Sequence, residues 1–140
     1  MRHGFRMSVG AHAGAAAEVN AAFDKFAEEH ALPVDVRRSV NVALDELLAN
    51  ALSHGQQGRD PCSVTVEAEL DQERVTVVVT DNGTPFDPFG RDAPDTALPV
   101  EERPIGGLGI HLVRELMDEV SYQRRDDQNV VVLVKQLVNG

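Results

Sequence analysis

Hydrophobic and polar positions switch between a strand-like period of two and a helical period along this chain, and the switches mark out its elements. Phe5 to Val9 alternates weakly and predicts an opening strand. From Ala15 to Glu29, Val19, Phe23 and Phe26 recur at helical spacing with acidic residues on the other faces, which predicts an amphipathic helix. Leu32-Pro33 interrupts that pattern. Asp35 then suits the N-cap of a second helix running to about Ser53, and His54-Gly55 ends it with a residue that tolerates a left-handed backbone. Gln56 to Pro61 reads as loop. Val64, Val66 and Ala68 alternate with polar residues and Val75 to Thr80 is a β-branched run; with Asp71-Gln72 between them, the two predict a hairpin.

Beyond Asp81 the periodicity fades. Five of the seven prolines (Pro85, Pro88, Pro94, Pro99, Pro104) lie between Thr84 and Ile105, and a segment of that length without its own pattern reads as a flexible lid over about 84–105. Gly106 to Gly109 follows, then Ile110 to Met117 as a helix. Val120 to Arg125 and Val130 to Leu137 read as two closing strands, with Asp126 to Asn129 as their turn. This order implies one domain over 1–140: an α/β (α+β) two-layer sandwich, with a mixed, largely antiparallel sheet and helices on one face.

Composition narrows the function classes. The 140 residues are 42% hydrophobic and 26% charged, the profile of a globular chain rather than a disordered one. With 13 Lys+Arg against 23 Asp+Glu, the net charge of −10 opposes non-specific binding to nucleic acid or anionic membrane. The single cysteine, Cys62, excludes an internal disulfide and reads as a small strand hydrophobe. No apolar run approaches the roughly 20 residues that span a bilayer, and Met1 to Ala17 lacks a leader-like apolar stretch, so a cytoplasmic location is expected.

Three segments carry candidate chemistry. Glu46, Asn50 and His54 are spaced four apart and rise along one helix face shared with Ala43 and Leu47. Oxygen donors on a semi-apolar stripe suit Mg²⁺, although polar residues on a helix surface look the same. Asp81-Asn82-Gly83 follows a strand; it makes a good turn by itself, and its carboxylate could also accept from an exocyclic amino group with Gly83 open to a planar ring. Gly106-Gly107-Leu108-Gly109-Ile110 opens a helix, where free backbone N–H groups and the helix dipole can hold an anion. It matches neither the Walker pattern nor the dinucleotide fingerprint.

Together and in this order, the three resemble the ATP-binding domain shared by gyrase B, histidine kinases and MutL, the GHKL or Bergerat fold. Glu46…Asn50…His54-Gly55 is similar to its N box, Asp81-x-Gly83 to its G1 box and Gly107-x-Gly109 to its G2 box, and the likeness runs from about Phe5 to Val138. Leu-Asp-Glu-x-x-x-Asn, Asp-Asn-Gly-x-Pro-Phe-Asp-Pro and Gly-Gly-Leu-Gly-Ile in a stand-alone domain resemble the anti-sigma factor serine/threonine kinases of the RsbW and SpoIIAB type. The resemblance implies ATP and Mg²⁺ as cofactors, with Glu46 as general base and Asn50 as the Mg²⁺ ligand. It implies Asp81 accepting from the adenine amino group with Gly83 beside the ring, Gly107 and Gly109 holding phosphates, and Phe86, Gly106, Leu108 and Ile110 as further ATP-binding residues. The lid offers Arg91 and Arg103 as candidate γ-phosphate contacts, and the sequence does not choose between them.

The same resemblance implies a cytoplasmic homodimer that regulates transcription by partner switching. Such a protein phosphorylates a serine on a STAS-type antagonist, alternately sequesters a sigma factor, and touches neither nucleic acid nor membrane directly. Two alternatives stand beside it: a nucleotide-gated binding module without kinase activity, and a detached histidine-kinase catalytic domain. One departure from the family stands out. Where the superfamily often carries Gly-Thr before its last strand, with a hydroxyl that helps to hold adenine, this chain reads Gln128-Asn129-Val130. That contact has to be replaced or lost.

Overall fold

The computed structural model describes residues 3–10, 14–54, 63–83, 85, 87–89 and 107–137, with the backbone alone for 52–54 and 107–109. Along the chain run β1 (His3–Gly10), α1 (Ala15–Glu29), α2 (Val34–His54), β2 (Ser63–Leu70), β3 (Arg74–Asp81), α3 (Gly107–Leu116), β4 (Glu119–Arg125) and β5 (Gln128–Gln136).

The first helix forms where its period of apolar residues predicts it, and it buries Val19, Phe23, Phe26 and Ala27. Its end is set by Ala31, not by the proline. Ala31 adopts φ 52°, while Leu32 N–H donates to Ala27 O at 2.9 Å and Ala31 N–H to Glu28 O at 3.3 Å. That pair of bonds is a Schellman motif, built here on a residue with a Cβ where glycine is usual. The second helix starts one residue before the expected cap. Asp35 is therefore inside the first turn, favourable to the helix dipole, and Pro33 O accepts from Arg37 N–H at 3.0 Å. On α3 the helix begins at Gly107, so Gly107 and Gly109 of the sequence motif lie in its first turn.

The strands form one sheet in the order β1-β2-β3-β5-β4, antiparallel at all four pairings. The turn at Asp71 is held by its Oδ1, which accepts from Glu73 N–H at 2.7 Å and Arg74 N–H at 3.0 Å. The last hairpin is tighter than the four-residue turn read from the sequence. Only Asp126 and Asp127 connect its strands, both with positive φ (52° and 61°), the geometry of a two-residue turn. Gln128 and Asn129 consequently belong to β5.

All three helices supply the core on one face of the sheet. Val40, Ala43, Leu44 and Leu48 of α2 and Val113 of α3 are fully covered, against Val64, Val66, Val75, Val77 and Leu133 of the sheet. Each such Val or Leu side chain contributes on the order of 1.5–3 kcal/mol by leaving water. Phe5 extends the core at one end, its ring 5.2 Å from Phe26 and 6.5 Å from Phe23. A polar seam closes the outer side of the α1–α2 pair. Asp24 Oδ1 accepts from Arg37 Nε and Asn41 Nδ2, both at 2.9 Å, and Asn20 Nδ2 donates to Asp45 at 2.6 Å. The opposite sheet face is open, with Arg6 paired to Glu67 at 3.3 Å and the hydroxyls of Ser8 and Thr65 at 2.9 Å. Among the described residues, no helix is long and apolar enough to cross a membrane.

Candidate functional site

The register of the sheet assembles one end of it. Val9, Val64, Asp81, Asn129 and Arg124 are successive cross-strand neighbours from β1 to β4. Period-two alternation places this row on the helix-covered face, continuing the buried positions Val75, Val77 and Val79 on β3 and Val131 and Leu133 on β5. The row starts apolar and ends polar, so the helix-covered face carries carboxylate, carboxamide and guanidinium at its rim.

Asp81 is half-buried at the last position of β3. Its Oδ1 accepts from Gly83 N–H at 2.9 Å, forming an Asx turn, and from Asn129 Nδ2 at 2.9 Å. Asn129 is buried, and its Oδ1 accepts from the Tyr122 hydroxyl at 2.6 Å. Arg124 Nη1 donates to Gly83 O at 2.8 Å. Asn82 turns the other way, its Oδ1 accepting from Ser63 N–H at 2.8 Å. The Asp81–Gly83 turn is thus held from both flanks, by β2 on one side and the β4–β5 hairpin on the other. A carboxylate with one oxygen fixed by two donors presents its second oxygen in a defined direction, and such an oxygen can accept from an amino group.

Glu46 and Asn50 are both half-buried on α2, one turn apart, with Leu47 and Ala43 buried beside them. The side chain of Glu46 has no hydrogen-bond or ion-pair partner among the described residues, which leaves its carboxylate available as a base. α2 packs against α3, so this face neighbours the helix whose first turn contains Gly107, Leu108 and Gly109. Ile110 is buried and anchors that turn to the core. Among the described residues there is no group of three or more His, Cys, Asp or Glu able to hold a metal. A cation bound here would rely on Asn50 and non-protein oxygens, which is the habit of Mg²⁺.

Several expected residues lie outside the described ones: Phe86, Gly106, Arg91, Arg103, Cys62, the His54 side chain and most of the lid segment. From that segment, Asp87 to Phe89 is described. Phe89 N–H donates to Asp87 Oδ1 at 2.8 Å and Phe89 packs against the core. A cleft of about 530 Å³ on the open sheet face, lined by Gly4, Arg6, Glu67, Thr76 and Val78 among others, includes none of the candidate residues.

Three residues that hold the Asp81–Gly83 turn were not among the sequence candidates: Asn129, noted only as a departure from the family, Tyr122 and Arg124. Asn129 was hidden by its assignment to a turn. Counting by twos back from the buried Leu133 and Val131 reaches position 129, and that parity was the available signal.

A family model described as a histidine kinase-like ATPase domain matches residues 9–135. Over 98 residues the chain is 31% identical to the serine/threonine-protein kinase BtrW of Bordetella bronchiseptica, covering 70% of this chain and 69% of that one. Over 104 residues it is 32% identical to the serine-protein kinase RsbW of Listeria monocytogenes, covering 71% of this chain but only 65% of the relative, just under two thirds. The RsbU and RsbW domains of a Mycobacterium tuberculosis protein share the fold, with a TM-score of 0.68 at 17% identity over 96% of this chain and 32% of that one. The catalytic domain of the histidine kinase ThkA also shares it, with a TM-score of 0.53 at 14% identity, covering 95% of this chain and 97% of that one.

Proposed function

The chain belongs to the histidine kinase-like ATPase domain family, and on that premise we propose that it binds Mg-ATP and transfers the γ-phosphoryl group to a serine or threonine of a protein partner. The observation that carries the nucleotide reading is Asp81, whose Oδ1 is fixed by Gly83 N–H and Asn129 Nδ2. The other carboxylate oxygen accepts the adenine 6-amino group, and Gly83 lets the ring lie close to the backbone. The first turn of α3, with Gly107 and Gly109, offers backbone N–H groups to the phosphates.

Asn50 is the residue suited to Mg²⁺, which when bound neutralises phosphate charge. Glu46 accepts the proton of the partner's hydroxyl while that oxygen attacks the γ-phosphorus. The bond from the γ-phosphorus to the β–γ bridging oxygen breaks, and ADP leaves with the electron pair. Positioning supplies most of the acceleration in such transfers, and a placed base adds about 10²–10⁴-fold.

The partners are proposed at the same level: an anti-sigma antagonist of the STAS type as phosphoryl acceptor and a sigma factor as the alternative ligand, in the cytoplasm. The names of the relatives, serine and serine/threonine-protein kinases, support hydroxyl rather than histidine transfer. The net charge of −10 favours a basic protein surface as partner over nucleic acid. Transfer of labelled γ-phosphate into proteins of a host lysate tests the reading. An acid-stable label on one small protein is expected. An acid-labile label would mark phosphohistidine, and no label with ATP binding intact would leave a nucleotide-gated binding module.

A further inference from the structure

The hydrogen-bond chain behind Asp81 has a direction that chemistry alone fixes. An ionised carboxylate accepts and cannot donate, so the end of the Asn129 carboxamide that stands 2.9 Å from Asp81 Oδ1 has to be its nitrogen. The carboxamide oxygen then faces the Tyr122 hydroxyl at 2.6 Å, and that hydroxyl has to donate. Reversing the amide would set oxygen against carboxylate. Tyr122 therefore orients Asn129, and Asn129 orients Asp81.

That orientation matters because the outer torsion of an aspartate is soft, with broad, roughly two-fold wells. The Gly83 N–H alone leaves the carboxylate one point of attachment at Oδ1. The Asn129 amide adds a second from the neighbouring strand, and two donors in different directions fix the plane of the group. Arg124, the next residue in the same cross-strand row, holds the turn itself through Gly83 O. Asn129, Tyr122 and Arg124 all come from the β4–β5 hairpin, and none belongs to the motif that contains Asp81.

We propose that Asn129, oriented by Tyr122, is a positioning residue that sets Asp81 to select a 6-aminopurine over a 6-oxopurine nucleotide. A fixed carboxylate oxygen meets the 6-amino group of adenine with an acceptor. Against a 6-oxo group it sets acceptor against acceptor, and a carboxylate free to turn away would no longer enforce that penalty. This inference rests on the nucleotide reading of the site above and goes further, because it assigns base selectivity to residues that need not touch the base.

The test compares affinities for ATP and inosine triphosphate, by calorimetric titration with Mg²⁺, in the full chain and its variants. The unsubstituted protein is expected to favour ATP by at least about tenfold, the scale on which buried hydrogen-bonding groups reject a mismatched ligand. Asn129→Ala should cut that preference by about tenfold and Tyr122→Phe by about threefold. Asn129→Thr, which returns a donor, should keep it within about threefold of the unsubstituted value. Tyr122→Phe removes a single oxygen, so it keeps the test valid should Asn129→Ala fail to fold.

A merely structural role would lower both affinities together and leave their ratio unchanged, and that result overturns the inference alone. An unsubstituted chain that shows no preference for ATP would overturn the nucleotide reading and this inference with it.

Discussion

Asn129 stands directly across the β3–β5 ladder from Asp81, and its carboxamide nitrogen lies 2.9 Å from Asp81 Oδ1. The two residues are 48 positions apart in the chain, yet they form one unit with Gly83 and Tyr122. Most of the expected behaviour of the site follows from that unit.

Asp81→Asn keeps an oxygen for the Gly83 and Asn129 donors, which forces the new amide nitrogen to face the base. Donor then meets the adenine amino group, so ATP affinity should fall by about 10–100-fold, the cost of one buried group left unpaired. Inosine triphosphate, with its 6-oxo acceptor, should lose less or gain. Calorimetric titration of both nucleotides checks the reversal, with circular dichroism confirming that the fold persists.

Glu46→Gln preserves size and removes basicity. Phosphoryl transfer to the protein acceptor should drop by about 10²–10⁴-fold, while ATP affinity changes little because the side chain has no partner in the described structure. Single-turnover transfer at saturating ATP separates the two effects. Transfer at the unsubstituted rate would remove Glu46 from the chemistry.

Asp24 ties acid stability to the α1–α2 seam. Burial alone would raise its carboxyl, but the hydrogen bonds from Asn41 and Arg37 and the Arg37 charge outweigh this and hold it below the usual 3.8. A carboxyl lowered by folding stabilises the native state above its unfolded value, and this contribution disappears as pH falls through the lower native value. The site is about a third exposed, so the effect is modest. Between pH 5 and pH 3 the unsubstituted protein should therefore lose more stability than Asp24→Asn, as read from urea unfolding midpoints.

Ala31 carries a positive φ at the end of α1. Ala31→Gly removes a Cβ from a left-handed position whose strain is about 1 kcal/mol, partly offset by the greater freedom of glycine when unfolded. A small rise in the unfolding midpoint is expected, with no change in nucleotide affinity. A fall would mean that the Schellman turn is not strained.

Leu44→Ala empties part of the core beneath the Glu46 helix. Leu44 is completely buried, and truncation there should destabilise by about 2–5 kcal/mol. Denaturant midpoints with an unchanged slope would confirm that the loss is one of packing.

Much of this molecule was legible from local pattern. The α1 period of Val19, Phe23 and Phe26 predicted the helix over Ala15–Glu29, and the β-branched run at Val75 to Thr80 predicted β3, because burial of one face imposes a period on the sequence. Asp81, Gly83, Glu46 and Asn50 stood out as candidates from short motifs on or beside single elements. What local pattern missed was Ala31 as the helix terminator, since alanine gives no turn signal, and the length of the last turn, since Asp126 to Asn129 is polar throughout. The second decides the site. A two-residue turn at Asp126-Asp127 puts Asn129 on the covered face opposite Asp81, whereas a slip of one residue would send it to the open face. The sequence by itself determined which elements form and which motif residues they carry. Only the tertiary structure decided what holds Asp81, because strand register is settled by packing across the whole sheet.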